Sequence, residues 1–442
     1  MHGARRPKDQ VRVSRMVDFD GRKRSDCPRV LLSEGSSSSA RQTLYGLGQR
    51  HLIGVVDPAP FCLCRFSSLV KRYHRSPSYS REPREYLAFL VRTIRSQGYD
   101  VLFPTHEQAY LLARFQDALA AEVGLALPGF ETLRRLQNKA NFVRLLDELG
   151  IPQPPTRIVA SLNELDTSWD YPCYIKLPHS TAGHGVRQVF GVEDVRRVAE
   201  EFERAGRLEG VSEIVVQQPA AGHRCVVQAV FQHGRLVGVH CAEAISLGIG
   251  GSQWLRQSAS HPTVVEDVRR LGERVGWHGA MFLDYFYDHA TGRAEYIEAN
   301  PRIGETVNAM LCGVNLADLV VRISLGEEVE AVGPGKVGVR SHVGFLGLLS
   351  QAINGANRRQ LGAEIWRMRT HRGHYQGSRD ETTQPRQDWL SLIPATAITL
   401  QLLLCPASAR NLVQRTVDNY SLPESAARHI EQLAENGFPN WA

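Results

Sequence analysis

The chain has few cysteines and no pattern typical of a secreted or membrane protein. Its eight cysteines are scattered over 442 residues, and only Cys62 and Cys64 lie close together. This spacing predicts free thiols in a reducing cytoplasm rather than a disulfide framework. No apolar segment of the length that a secretory signal needs follows the basic start. The most apolar late stretch, Leu392 to Cys405, is interrupted by Pro394 and too short to cross a bilayer, so it predicts a buried element.

A basic field over the folded body is also missing. The net charge is +6, but residues 1–29 carry nine Lys or Arg and four Asp, which leaves 43 basic and 42 acidic residues in the rest. A nearly neutral body predicts neither a nucleic-acid partner nor a membrane partner. Residues 1–28 lack apolar periodicity, and we predict a basic, disordered tail there.

The length predicts two to four domains. Residues 29–127 alternate between short apolar strands and helical patterns, which predicts a parallel, doubly wound sheet. Ligands bind such sheets at the carboxyl ends of the strands. Residues 36–39 and 105–107 follow strands and are therefore candidate substrate-facing loops. Ordinary caps and turns are the alternative interpretation of both segments.

The stretch from Phe282 to Arg302 predicts two strands joined by a turn at residues 288–292. Because side chains alternate along a strand, Glu298 and Asn300 share one face, and Asp284 lies on the adjacent strand. Two carboxylates and an amide oxygen form the hard oxygen set that Mg²⁺ prefers when it also holds nucleotide phosphates. Pro301 ends the strand, and Arg302 adds a cation beside the metal. A surface hairpin with ordinary charges is the alternative.

A second signal is Lys176, in an apolar strand on the same face as Tyr174. A buried lysine needs an anionic partner, and phosphate oxygens would provide one. The loop that follows, residues 178–185, contains small residues that let backbone N–H groups approach phosphates: Ser180, Thr181, Gly183 and Gly185. The alternative is that Lys176 only protects a sheet edge and that the loop is a plain hairpin turn. Lys139 precedes an amphipathic helix and by itself predicts only a solvated lysine.

The order of these motifs along the chain resembles that of the ATP-grasp superfamily. The motifs are, in chain order, Lys139, GIPQPPT (150–156), Lys176 with its loop, VVQQPAAG (215–222), Asp284 and EANPR (298–302). The resemblance spans about residues 126–330 and extends upstream and into the C-terminal tail, where it points to the predicted carboxylate–amine ligases. It implies an α/β fold with a Rossmann-like pre-ATP-grasp domain at 29–127, followed by a two-lobed ATP-grasp domain. Lobe A would be 128–214 with the Gly-rich flap, lobe B 215–335 with the magnesium site, and 336–442 a mostly helical region.

The resemblance also implies roles for individual residues. Lys139 and Lys176 would contact phosphates, under a flap that contains Ser180, Thr181, Gly183 and Gly185. The hinge that binds adenine would include Gln217, Gln218 and Ala220, and the metal ligands would be Asp284, Glu298 and Asn300. Arg302 and Lys176 would be catalytic. The chain departs from the family at His223 and Arg224, where many relatives carry a Glu for the ribose hydroxyls. The loop at 248–252 lies where relatives present substrate.

The implied function is an ATP-dependent ligase that joins a carboxylate to an amine through an acyl phosphate and releases ADP and phosphate. The implied cofactors are ATP and two Mg²⁺ ions, for which Mn²⁺ could substitute, and a homodimer is left open. One alternative is another ATP-grasp enzyme of the kinase or carboxylase type. The other is a non-catalytic ATP-binding regulator.

Overall fold

The computed structural model describes residues 27–166, 169–181 and 183–433. The predicted disordered tail, residues 1–28, therefore lies outside the described residues except for its last two positions.

A parallel sheet of four strands opens the fold, as predicted. Its strands are β1 (Arg29–Leu32), β2 (Leu52–Asp57), β3 (Val70–Arg75) and β4 (Val101–Phe103), in the order β3-β2-β1-β4. The helices around it are α1 (Ser38–Leu47), α2 (Pro83–Gln97), α3 (Gln108–Arg114), α4 (Gln116–Ala120) and α5 (Phe130–Gln137). The sequence pattern missed β3 because this edge strand is polar and largely solvent-accessible. The carboxyl ends of β1 and β4 lie side by side, so the two candidate loops meet at one edge of the sheet.

A separate antiparallel sheet follows, in the order β5-β8-β6-β7. Its strands are β5 (Thr156–Val159), β6 (Cys173–Lys176), β7 (Val186–Val189) and β8 (Ile214–Gln217), with helices α6 (Lys139–Leu149) and α7 (Val192–Arg204). Gly150 ends α6 in the left-handed conformation, with φ of 60°, which glycine adopts without steric cost. The buried side chains of α7, including Phe202, belong to the core of this sheet.

The largest sheet has seven strands in the order β13-β12-β9-β10-β11-β14-β15. They are β9 (His223–Gln232), β10 (Arg235–Leu247), β11 (Gln253–Ala259), β12 (Gly279–Asp288), β13 (Arg293–Asn300), β14 (Arg340–His342) and β15 (Ser378–Asp380). Helices α8 (Pro262–Arg274), α9 (Val307–Leu311) and α10 (Leu316–Ser324) pack on it. The last two strands come from the C-terminal region and extend the sheet that carries the predicted magnesium hairpin.

The C-terminal region contains α11 (Gly344–Ile353), α12 (Arg358–Arg369), α13 (Leu392–Leu404), α14 (Ala409–Tyr420) and α15 (Glu424–Gln432). The prediction that Leu392 to Cys405 is buried is wrong. Only Leu402 of α13 is buried, whereas Leu400 is 54% and Leu404 70% exposed. The helix packs against α11 and α12 on one side only, although its composition is apolar all round. Within the described residues, every helix falls short of the length or apolar content that a membrane span demands.

Candidate active site

The hairpin of β12 and β13 forms as the sequence predicts. The N–H of Gly292 donates to the carbonyl of Asp288 and closes the turn, at 2.8 Å. Asp284 lies directly opposite Glu298 in the strand register, and the amide Nδ2 of Asn300 donates to Asp284 Oδ2 at 3.3 Å. The three predicted oxygen-bearing side chains therefore converge on one face of the hairpin.

Each of these three side chains faces a cation. Lys139 Nζ lies 2.9 Å from Glu298 Oε1, and Arg224 Nη2 lies 2.7 Å from Asp284 Oδ1. Arg302 Nη2 donates to Asn300 Oδ1 at 3.1 Å. Lys139 is buried at the first turn of α6, so its interpretation as a solvated lysine is wrong. The predicted phosphate contacts and the predicted metal ligands thus form one charged cluster.

Lys176 connects lobe A to the hairpin. Its ammonium donates to Gln217 Oε1 at 2.5 Å and to the carbonyl of Ile297 at 3.1 Å, which lies on β13. Burial lowers the pKa of Lys176 to about 8; Glu298 opposes this shift, and the neighbouring charges of Lys139 and Arg224 reinforce it. A buried lysine that donates hydrogen bonds to a neutral amide and a carbonyl does not fit the alternative in which Lys176 protects a sheet edge.

The charge balance of the cluster favours an anion. The cations are Lys139, Lys176, Arg224 and Arg302, and the carboxylates in contact with them are Asp284, Glu298 and Glu107, whose Oε1 lies 3.3 Å from Arg302 Nε. Burial raises the pKa of Asp284, and the guanidinium of Arg224 acts against that rise. Arg224 Nε is buried and makes no hydrogen bond to the residues that the structure describes. A buried donor without a partner is costly, and an anionic ligand would satisfy it.

The predicted flap folds over this cluster. The carbonyl and the hydroxyl of Ser180 both accept hydrogen bonds from Lys139 Nζ, each at 3.2 Å. A Cβ at Gly185 would lie 2.5 Å from Ser180 Cβ, so only glycine fits there. Gly183, with φ of 74°, approaches Gly250 so closely that a Cβ would lie 3.2 Å from its Cα. The flap therefore meets the loop at 248–252. Thr181 Oγ1 lies 3.5 Å from Glu107 Oε1.

The predicted hinge residues lie at the end of β8 and in the connection to β9. Gln217 is buried, and its Nε2 donates to Thr156 Oγ1 at 2.8 Å. The side chain of Gln218 points to the other side of the sheet, where its Nε2 donates to the carbonyl of Asp170 at 2.6 Å. Ala220 follows in the connection. In the predicted hinge these positions act through backbone groups, and the backbone N–H of Gln218 here donates to the carbonyl of Pro155 at 2.9 Å.

A cavity of about 210 Å³ joins these elements. Residues from the predicted magnesium hairpin, the predicted flap and the loop at 248–252 line it, together with Ser37, Ser38, Ser39 and His106 from the first sheet. Both candidate loops of that sheet therefore contribute to the cleft. Ser37 also caps α1 by accepting from the N–H of Ala40 at 3.0 Å, so the capping interpretation holds for this residue as well.

Sequence patterns missed a further part of the cavity lining. Arg256 on β11 lies 3.8 Å from Glu305 Oε2 and 3.2 Å from Glu381 Oε1. Gln253, at the start of the same strand, has both side-chain amide atoms buried without a hydrogen bond to the described part of the chain. Tyr420 reaches the cavity from α14. Only Glu305 had a usable signal, since it follows the EANPR motif by three residues; the others come together through tertiary contacts alone.

No family model matches the chain. In sequence, it is 26% identical over 244 residues to the carbamoyl phosphate synthase large chain of Deinococcus radiodurans, covering 50% of this chain and 22% of that protein. It is 27% identical over 230 residues to the C-terminal section of the carbamoyl phosphate synthase large chain of Methanopyrus kandleri, covering 48% of this chain and 42% of that protein. The chain thus spans less than half the length of these curated relatives.

The solved structures extend the similarity to between 68% and 74% of the chain. A biotin carboxylase–ATP complex from Campylobacter jejuni has a TM-score of 0.58 at 15% identity, covering 71% of this chain and 74% of that one. The ADP complex of N5-carboxyaminoimidazole ribonucleotide synthetase has a TM-score of 0.56 at 15% identity, covering 74% and 86%. An L-amino acid ligase from Bacillus licheniformis has a TM-score of 0.53 at 16% identity, covering 68% and 75%. The chain therefore has the ATP-grasp fold, and its predicted resemblance to the ATP-grasp superfamily is confirmed.

Proposed function

We propose that this chain is an ATP-dependent ligase that joins a small-molecule carboxylate to an amine through an acyl phosphate and releases ADP and phosphate. The observation that carries the proposal is the cluster between the two ATP-grasp lobes. There, Asp284, Glu298 and Asn300 converge, and two buried lysines and two partly buried arginines surround them.

The residues present fit a magnesium–nucleotide complex. Carboxylate and amide oxygens are the ligands that Mg²⁺ uses, so Asp284, Glu298 and Asn300 would hold the metal. The excess of cations and the unsatisfied Arg224 Nε suit a triphosphate. When bound, Mg²⁺ would neutralise negative charge on the transferred phosphoryl group. The Campylobacter jejuni neighbour is an ATP complex, and the biotin carboxylase domain of a Hydrogenobacter thermophilus 2-oxoglutarate carboxylase is a complex with MgADP, which supports this assignment.

The side chains of this protein would then bind and orient the reactants. Lys139 and Arg224 now pair with Glu298 and Asp284, and they would turn to the phosphates once those carboxylates bind metal. Lys176, held on Gln217 and the Ile297 carbonyl, would donate to a phosphate near the hinge. The flap would exclude water, which would otherwise intercept the acyl phosphate.

Arg302 is the residue best placed to stabilise the reacting group. Its guanidinium is fixed by Glu107 from the first domain and by Asn300 from the hairpin. A fork of preorganised donors stabilises charge that develops on phosphoryl oxygens without reorganisation during the reaction. Glu107 thus positions a catalytic cation from another domain.

The remaining cavity lining suits two small, oppositely charged groups. Arg256 offers a guanidinium for a carboxylate, and Glu305, which accepts from Ser38 Oγ at 2.9 Å, offers a carboxylate for an amine. Gln253 adds an unsatisfied donor and acceptor beside them. This lining supports an acid and an amine as the two substrates.

The test is substrate-dependent product formation. ADP and phosphate should appear in equal amounts only when ATP, Mg²⁺, an acid and an amine are all present. The acid panel should include bicarbonate, because the Hydrogenobacter thermophilus domain is a complex with that anion as well. AMP and pyrophosphate as products would contradict the proposal. ADP with a phosphorylated, amine-free product would favour a kinase, and ATP binding without turnover would favour a regulator.

We also propose that the protein forms a homodimer and lies in the cytoplasm. A homodimer is supported by the same Hydrogenobacter thermophilus domain, which is a dimer, and light scattering on the full chain tests it. A cytoplasmic location is supported by the free thiols of the seven cysteines from Cys62 to Cys405.

A further inference from the structure

A second cluster of ligating side chains lies behind the candidate active site. Along β9 and β12, Arg224 and Asp284 face the cleft, so Cys225 and Tyr285 face the opposite side of the sheet. In the register, Cys225 lies directly opposite Glu243 of β10 and Tyr285 of β12. These side chains form a row on the back face, where α8 packs.

Two histidines complete the cluster. His261 precedes α8, and its Nε2 lies 2.9 Å from Glu243 Oε1. His289, in the turn between β12 and β13, has its Nε2 3.1 Å from the same oxygen. One ligand atom from each of Cys225, Glu243 and His261 lies within 4.8 Å of the others. A thiol, a carboxylate and one imidazole thus converge, and His289 adjoins them at Glu243. We call Cys225, Glu243, His261 and His289 the back-face cluster.

We propose that the back-face cluster binds one divalent transition-metal cation of the zinc type. Sulfur and nitrogen donors favour zinc over the magnesium expected in the cleft. Cys225, Glu243 and His261 would provide three ligands, and His289, which contacts Glu243, would move in as the fourth ligand of a tetrahedral site. The cation would take the place of the protons now shared between the imidazoles and Glu243. Cys225 would bind as a thiolate and release its proton to solvent.

The surroundings of His261 support this assignment. Its other ring nitrogen, Nδ1, lies 2.7 Å from Tyr285 Oη, and its ring stacks on Tyr287 with centroids 3.7 Å apart. Histidine ligands are usually oriented in this way by a partner on the second nitrogen. An ordinary histidine–glutamate pair would account for His261 and Glu243. It would not account for His289 at the same carboxylate oxygen.

The cation would link β9, β10, the start of α8 and the turn of the predicted magnesium hairpin. These elements present Arg224, Asp284 and Glu298 to the cleft. A site closed by four protein ligands is typical of structural zinc. The expected role is therefore to stabilise the sheet behind the active site.

Cobalt titration of the full chain, after removal of metals with a chelator, tests the proposal. With excess Mg²⁺ present, we expect one Co²⁺ per chain, with the strong absorption of a thiolate bound to cobalt. Cys225→Ser should abolish that absorption, and Cys173→Ser, which removes an equally buried thiol from β6, should preserve it. Absence of stoichiometric binding, or a thiolate band that survives Cys225→Ser, would overturn the proposal.

A second variant avoids the risk of misfolding. The His289 side chain is 51% exposed, so His289→Gln should fold normally. It should weaken Zn²⁺ binding at least about tenfold in competition with a coloured chelator, because it removes one ligand. The matched control is His429→Gln on α15, far along the chain from the cluster, which should bind Zn²⁺ normally. Unchanged affinity in His289→Gln, or equal loss in Glu298→Gln, would assign the metal elsewhere.

Discussion

The two faces of the seven-stranded sheet differ in chemistry although neighbouring residues build them. On the cleft face, Arg224 and Asp284 belong to a cluster of carboxylates, amides and cationic side chains. On the back face, the next residues, Cys225 and Tyr285, belong to a cluster of sulfur, imidazole and hydroxyl groups. Because side chains alternate along a strand, one pair of strands can carry two unrelated sites. We therefore expect the two faces to share a scaffold but to bind different ligands, and the predictions that follow probe each face.

The largest expected effect is on the cleft face. Glu298→Gln keeps the size of the side chain but removes a proposed metal ligand and the partner of Lys139. Turnover should fall about 100- to 1,000-fold, as for the loss of a preorganised charge in other active sites. Circular dichroism and Co²⁺ binding at the back face should not change. Glu266→Gln, on the exposed surface of α8, is the control. Normal turnover in Glu298→Gln would remove the basis of the proposed function.

The next effect concerns the back face. Tyr285→Phe removes the hydroxyl that holds His261 Nδ1. Zinc affinity should fall about 10- to 100-fold, since partners of metal-ligating histidines contribute to this extent. Tyr296→Phe removes another buried hydroxyl from the neighbouring strand, and should leave zinc affinity unchanged because Tyr296 contacts Asp267 instead. Equal losses in both variants would indicate general destabilisation rather than a metal site.

A smaller effect is expected at Arg224, where the sequence departs from the family pattern. Arg224→Gln removes one cation from the cleft, so nucleotide binding without Mg²⁺ should weaken about tenfold, the value of one charge-assisted hydrogen bond. With Mg²⁺ present the loss should be larger, because Asp284 then binds the metal and leaves the Arg224 guanidinium free to contact the phosphates. Isothermal titration calorimetry measures both conditions. Tighter nucleotide binding without Mg²⁺ would show that Arg224 blocks the site.

The smallest effect is a pH dependence. The pKa of Lys176 is lowered from 10.5 to about 8, first by burial. Between pH 7 and 8.5 the charged fraction of such a lysine falls about fourfold, and nucleotide affinity should fall with it. Lys176→Arg should remove this dependence, because arginine stays charged. An identical pH profile in both proteins would exclude Lys176 as its source.

The same shift has the opposite sign for stability. The folded chain holds the Lys176 proton less tightly than the unfolded chain does. The contribution of Lys176 to the free energy of unfolding therefore rises with pH between about 8 and 10.5. Denaturant titrations at several pH values would separate this effect from nucleotide binding.

Local sequence patterns predicted the helices and strands whose candidate functional residues lie in short motifs. The β12–β13 hairpin, α6 with its terminal Gly150, and the parallel first sheet form as expected. The edge strand β3 was missed because a half-exposed polar strand has no clear apolar alternation. Helix α13 was expected to be buried because composition does not say how many sides of a helix find a partner. The nucleotide and metal roles of the cleft residues stay a prediction until ligand binding is measured.

The order of motifs along the sequence determined the fold and which side chains of the β12–β13 hairpin converge, since strand alternation fixes which residues of one hairpin share a face. Only the tertiary structure decided which cations meet those carboxylates, because Lys139, Arg224 and Arg302 come from different elements. It alone also brought Cys225, Glu243, His261 and His289 together. These residues are far apart along the chain, and no spacing rule relates strands whose contacts depend on how the whole sheet assembles.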